Sequence, residues 1–220
     1  MPPDVADHHH ADPDAVLAAA WEPDAETGPL LETALAGAGV AALTLDPATG
    51  SVDLLLHAPV AGSRDARCIL RLVASTRVVV RLAPSPAPTA SGDGAVPALP
   101  FGGLPDVAAL MSRLSWAGAC AGTRFLDVDP PARAGAAVVE VALAAEPGAH
   151  RWWWFAECLL EEGDGEDWWL LDGTVDFGGC VLLDARGAPL DLATFAARRL
   201  ARDPRALTRG WRHWWTGEAP

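Results

Sequence analysis

His150-Arg-Trp-Trp-Trp-Phe-Ala-Glu-Cys-Leu-Leu160, running on through Trp168-Trp169-Leu170-Leu171 to Cys180-Val-Leu-Leu-Asp184, is the stretch on which the reading of the fold turns. It holds five of the ten tryptophans. It also fits two periods. Trp152, Phe155, Ala156, Leu159 and Leu160 suit one face of a helix, whereas Trp152, Trp154, Ala156, Cys158 and Leu160 suit one face of a strand. Aromatic side chains favour pleated surfaces. Turn-forming runs at Glu146–Gly148, Glu162–Glu166, Phe177–Gly179 and Asp184–Gly187 cut the region into strand-sized pieces. The segment is therefore read as strands, a β-meander around residues 138–184. Both strand faces then carry Trp, so the sheet is covered on both sides or presents a binding surface.

The same logic works outward. Val40–Leu45 and Val52–His57 flank the turn Asp46–Gly50 and read as a hairpin, as do Arg67–Val73 and Arg77–Leu82, giving a four-stranded antiparallel unit. Thr123–Val128 and Val138–Ala145 are further strands. Helices are expected from Pro13 to about Trp21, capped by Asp12, and over Pro29–Ala38. Others are expected over Leu104–Ala117, over Leu192–Ala201 with Asp191 as cap, and over Arg205–Trp215 after Asp203-Pro204. The fold class is α+β: antiparallel sheets packed by a central helix and two C-terminal helices, with Trp211 and Trp214 expected to face the sheet. Residues 1–11 read as a tail, 12–83 and 104–220 as two α+β halves or one domain, and 84–103, rich in Pro, Ala and Gly, as a loop or linker.

Composition narrows function. The net charge of −13 argues against binding nucleic acid or anionic membrane, both of which need basic surface, and permits a protein partner with a basic one. No Lys, Tyr, Asn or Gln is present and Ile69 is the sole Ile, a bias that points to a GC-rich genome. Lysine-dependent Schiff-base and P-loop chemistry is thereby excluded. The four cysteines show no CxxC spacing and read mostly as buried free thiols, which suits a reducing, cytoplasmic location. No basic, apolar leader opens the chain, and no uncharged run is long enough to span a bilayer.

No nucleophile elbow, zinc-protease or calcium-loop motif occurs, and no cofactor is implied. Gly37-Ala-Gly39-Val-Ala-Ala42 matches the dinucleotide fingerprint only as a string, because a helix precedes it and a strand follows. The leading expectation is a non-enzymatic protein-binding module of adaptor, chaperone-like or inhibitor type. Its binding residues would be Trp153, Trp168 and Trp169 with an acidic tip of Glu161, Glu162, Asp164, Glu166 and Asp167. A basic partner would meet that tip first, while the arginines of the closing helices would meet acids of the sheet. One alternative is a hydrolase or carbohydrate-active protein using Asp172 and Asp176, which share a strand face beside Trp168 and Trp169. Another is a structural subunit of a larger assembly. Asp127 and Asp129, two apart on an extended chain, form a weak divalent-metal motif.

Overall fold

A computed structural model describes residues 13–63, 65–84, 122–125, 137–162 and 165–202. The described residues form an α+β fold with helices α1 (Pro13–Ala18), α2 (Thr27–Leu35) and α3 (Leu192–Arg202). The strands are β1 (Gly39–Asp46), β2 (Ser51–His57), β3 (Arg67–Val73), β4 (Arg77–Pro84), β5 (Gly122–Phe125), β6 (Ala137–Ala142), β7 (His150–Glu162), β8 (Gly165–Phe177) and β9 (Gly179–Asp184). They build two antiparallel sheets, one in the order β1-β2-β3-β9 and the other in the order β5-β7-β8-β4-β6. Each sheet draws strands from both sides of residues 84–103. No helix among the described residues is long and apolar enough to cross a membrane.

Local chemistry sets several boundaries. In the β1–β2 turn, one carboxylate oxygen of Asp46 accepts the Ala48 N–H at 2.9 Å and the other accepts the Thr49 hydroxyl at 2.9 Å. Gly50 closes the turn with φ of 61°, a conformation glycine adopts without steric cost. Asp191 Oδ1 accepts the Thr194 N–H at 2.8 Å, so Asp191 caps α3 as its position implies. Helix α1 stops earlier than expected, and Trp21 instead joins the edge of β9. Its N–H donates to the Cys180 carbonyl at 2.9 Å and its carbonyl accepts from Cys180 at 2.8 Å. Helix α2 starts earlier than expected because Asp24 accepts the Thr27 N–H at 2.7 Å and organises the entry.

The Trp-rich segment is a strand. β7 pairs with β8 from His150 opposite Phe177 to Glu162 opposite Gly165. Within the 138–184 region, β7 and β8 are the consecutive strands that pair with each other; β6 pairs with β4, and β9 pairs with β3. A second difference follows. β3 and β4 do not form a hairpin. Ala74, Ser75 and Thr76 carry the chain from one sheet to the other, and Gly178 does the same between β8 and β9. Val73 faces Gly179 and Arg77 faces Asp176, so one two-stranded ribbon bends through both sheets. The Thr76 N–H donates to the Asp176 carbonyl at 2.8 Å and the Gly178 N–H to the Val73 carbonyl at 3.1 Å, which satisfies the backbone at the bend. Ser and Thr between two apolar runs look like a tight turn in sequence, yet here the corner takes a positive φ of 50° at Ala74.

Alternation places the core. Leu54, Leu56, Leu70, Leu72 and Leu182 of the first sheet share one cluster with Val78, Val80, Trp152, Trp154, Leu171 and Val175 of the second. Leu31 and Leu35 of α2 and Phe195 and Ala196 of α3 belong to it too. Val181 and Leu183, on the other face of β9, pack with Val16 of α1 in a smaller cluster. The expected helices at Leu104–Ala117 and Arg205–Trp215, the tail 1–11, and Trp211 and Trp214 lie outside the described residues.

Candidate functional site

The outer face of the second sheet is ionic, and its centre is buried. Asp172 and Arg81 are 6% and 7% exposed, and Arg81 Nη1 donates to Asp172 Oδ1 at 2.9 Å. Four residues along β8, Asp176 is 3% exposed and takes a two-pronged contact from Arg151, at 2.5 Å to Oδ1 and 2.9 Å to Oδ2. Arg77 lies 3.8 Å from Asp176 on its other side and donates to Glu140 Oε1 at 2.7 Å. Charges therefore alternate in sign across β7, β8, β4 and β6. Buried ions are tolerated when they are paired in this way.

This arrangement bears on the acid–base reading of Asp172 and Asp176. Four residues along a strand set them about 13 Å apart, wider than the roughly 5–9.5 Å that acid–base glycoside chemistry uses. Each carboxylate is held by an arginine from another strand. Among the described residues, these two carboxylates are held in ion pairs and are not set at the spacing of a glycoside acid–base pair.

The expected binding residues divide. Trp153 is 7% exposed and enclosed on the ionic face, so its ring is not a surface anchor; the strand period that put Trp152 and Trp154 in the core turned it to the other side, which is also covered. The register sets Glu161 opposite Glu166, Leu160 opposite Asp167, Leu159 opposite Trp168 and Cys158 opposite Trp169, with Glu162 opposite Gly165. Acidic residues thus gather at the β7–β8 hairpin end. Asp164, Asp127 and Asp129 lie outside the described residues. The arginines of α3 depart from expectation. Arg198 Nε donates to the Ala61 carbonyl at 3.0 Å, and Arg199 donates to the carbonyls of Ala34, Pro59 and Ala36 at 3.0, 2.7 and 2.6 Å. Both are used on backbone acceptors, where a planar five-donor group reaches several carbonyls at once.

A cleft of about 440 Å³ opens between the start of α2 and the start of β7, with Asp24 and Glu32 on one wall and His150, Arg151 and Asp176 on the other. The Thr27 N–H and hydroxyl beside Asp24 hold its carboxyl below the usual range. His150 lies against Phe177, ring centres 5.7 Å apart. Among the described residues no group of three His, Cys, Asp or Glu side chains is placed to hold a metal. Burial pushes the thiols of Cys68 and Cys180 up to about 12, far from the range of a reactive nucleophile.

Those thiols give a clean titration. With no Lys or Tyr in the chain, few groups other than cysteine change charge in that range. The unfolded thiol ionises near 9.0 and the folded one near 12. The native state holds its protons while the unfolded state releases them, so this stabilising contribution is complete below the unfolded value and is lost as pH rises from it towards the folded one. Stability measured by denaturant should fall over that window, and Cys68→Ala with Cys180→Ala should flatten the fall. Alkylation mapped by mass spectrometry should leave both cysteines unmodified in the native protein and label both in urea; labelling of either in the folded state would contradict their burial.

The feature that sequence reading missed is an edge. The β9 side of the first sheet is closed by the chain itself. Trp21 pairs with Cys180, the Leu190 N–H donates to Leu182 at 2.8 Å, and the Asp184 N–H donates to Ala188 at 2.8 Å. The opposite edge, β1, pairs only with β2 among the described residues. Its run Gly39–Leu45 contains no charge and no proline, two of the devices that guard an edge, although an irregularity interrupts the ladder between Val40 and Ala42 and Asp46 ends the strand. In the second sheet, β5 has four residues, and β6 carries Glu140 within it. The signal was visible as an uncharged strand, but which strand ends a sheet depends on its neighbours. No protein-family model, curated protein or solved structure matches the chain.

Proposed function

We propose that this chain is a non-enzymatic protein-binding module that takes an extended segment of a basic partner along β1. The observation that carries this reading is the β1 edge, which among the described residues pairs only with β2, in a sheet whose other edge is covered. Strand addition supplies main-chain hydrogen bonds without a catalytic constellation. The acidic hairpin end and the net charge of −13 suit a basic partner and would steer its approach, so association weakens as salt rises. The buried free thiols fit a reducing, cytoplasmic setting.

Thr44 is exposed towards the end of the uncharged run, and Thr44→Lys installs the kind of guard that edge strands commonly carry. The variant should keep the unfolding midpoint of the parent and lose the partner that the parent retains on gentle purification from its native host. In the complex, amide hydrogen exchange should slow in Gly39–Asp46. Equal recovery by parent and variant, or protection confined to another surface, would overturn the reading.

A further inference from the structure

The cleft between the start of α2 and the start of β7 plays no part in strand addition, and its lining has a chemistry of its own. Small or rigid residues shape it: Pro23, Gly28 and Pro29 on one side, Gly148 and Ala149 on the other. Gly148 is fixed in place. Its N–H donates to the Thr76 hydroxyl at 2.7 Å, and a Cβ there would collide with the Phe177 backbone. At about 440 Å³ the cleft has the size of a ligand pocket, which runs to about 300–1,000 Å³.

The charges around the cleft set the sign of an occupant. Three carboxylates, Asp24, Glu32 and Asp176, line it with one arginine, Arg151. Arg151 holds Asp176 with two arms of its guanidinium, so Asp24 and Glu32 leave the lining net negative. Asp24 is also fixed in direction. The N–H groups of Glu26 and Thr27 and the Thr27 hydroxyl all meet Oδ1, at 2.9, 2.7 and 2.7 Å, and none of the three meets Oδ2. The same turn disfavours an anion. That carboxylate takes the Thr27 N–H, the Asp24 carbonyl takes the Gly28 N–H at 3.0 Å, and Pro29 has no N–H, so the first three residues of α2 offer an anion no backbone donor. A divalent metal fits poorly too, because among the described residues no three His, Cys, Asp or Glu side chains are placed to hold one. An organic cation remains. Of the two that proteins present, a planar five-donor guanidinium can serve two separate carboxylates, whereas an ammonium is a point charge.

We infer that this cleft takes the guanidinium of an arginine side chain presented by the basic partner, with Asp24 and Glu32 as its acceptors. This deepens the reading of the chain as a module for a basic protein and rests on it, but not on where the partner's main chain lies. A carboxylate already held at one oxygen loses little freedom when the other is engaged, which favours binding.

Titration of the isotope-labelled full chain with arginine blocked at both termini is the test, followed by amide chemical shifts in mildly alkaline buffer, where histidine is neutral. The expected result is saturable shifts centred on Gly28, Glu32, Gly148 and Ala149. The blocked citrulline counterpart, similar in shape and uncharged, should give none, and the lysine counterpart should bind several-fold more weakly. Asp24→Asn keeps an oxygen acceptor for the turn while removing the charge, and Glu32→Gln removes a charge from the helix without touching that turn. Each should weaken binding roughly tenfold. Asp191→Asn, an equal loss of charge outside the cleft, should bind as the parent does. No saturable shift, equal binding of the citrulline or lysine counterpart, or parent affinity in both cleft variants would overturn the inference. These measurements use only the purified chain and a small probe, so their failure leaves the partner-capture experiment to be decided separately. Failed capture by a chain whose cleft binds blocked arginine as described would count against the protein-partner reading alone.

Discussion

Replacing Trp154 with alanine should lower stability by about 3–5 kcal/mol, seen as a fall in Tm of roughly 6–20 °C for a chain of this size. The ring is fully buried in the shared core, on a strand flanked by β5 and β8. Its site is made by an absence. Gly173 stands opposite it on β8, and a Cβ there would lie 2.5 Å from Cζ2 and 2.8 Å from Nε1 of the indole. Gly173→Ala should therefore cost about 1–3 kcal/mol by overpacking. The double variant should cost less than the sum of the two singles, because the added methyl enters space that the ring has left. Urea unfolding of all four proteins measures the coupling. Strict additivity would show that the ring and the glycine do not share that space.

Arg199→Ala should be nearly as severe. The guanidinium is 8% exposed and serves three backbone carbonyls, those of Ala34 and Ala36 at the end of α2 and that of Pro59 after β2. Leaving a buried acceptor unmatched costs about 1–3 kcal/mol, so about 3 kcal/mol or more should be lost. Arg199→Lys should recover only part of this, since an ammonium is a point charge and cannot spread over three acceptors. Faster hydrogen exchange across α2 and α3 in Arg199→Ala, with the β7–β8 pairing unaffected, would locate the loss at the helix junction. Wild-type stability in both variants would show that the contacts are incidental.

The contrast between these two sites measures what was legible in the sequence. Trp154 could be assigned to a face by period two alone, and Asp46, Gly50 and Asp191 announced their turn and cap, because each acts within about four residues of itself. Arg199 read as one member of a basic helical stripe; its acceptors lie more than a hundred residues away and are backbone atoms, which carry no signature in a sequence. Arg81 and Asp172, 91 residues apart, were likewise visible only as isolated charges in apolar strands. The pairing of β3 and β4 was misjudged because strand alternation identifies strands and says nothing of partners. That β1 ends its sheet among the described residues escaped notice for the same reason, although its lack of charge was plain.

The bent ribbon carries a consequence for how the molecule is made. β3 and β4 leave the ribosome about a hundred residues ahead of β8 and β9, the strands that complete them. Until residues 165–184 emerge, Cys68–Val73 has one partner instead of two and Arg77–Pro84 lacks its longest one. Contacts this distant in sequence raise the contact order and slow folding, and half-paired apolar strands on a waiting chain are prone to aggregate. Synthesis is thus the period when this protein most needs protection, and a nascent chain stopped before β8 would complete neither sheet.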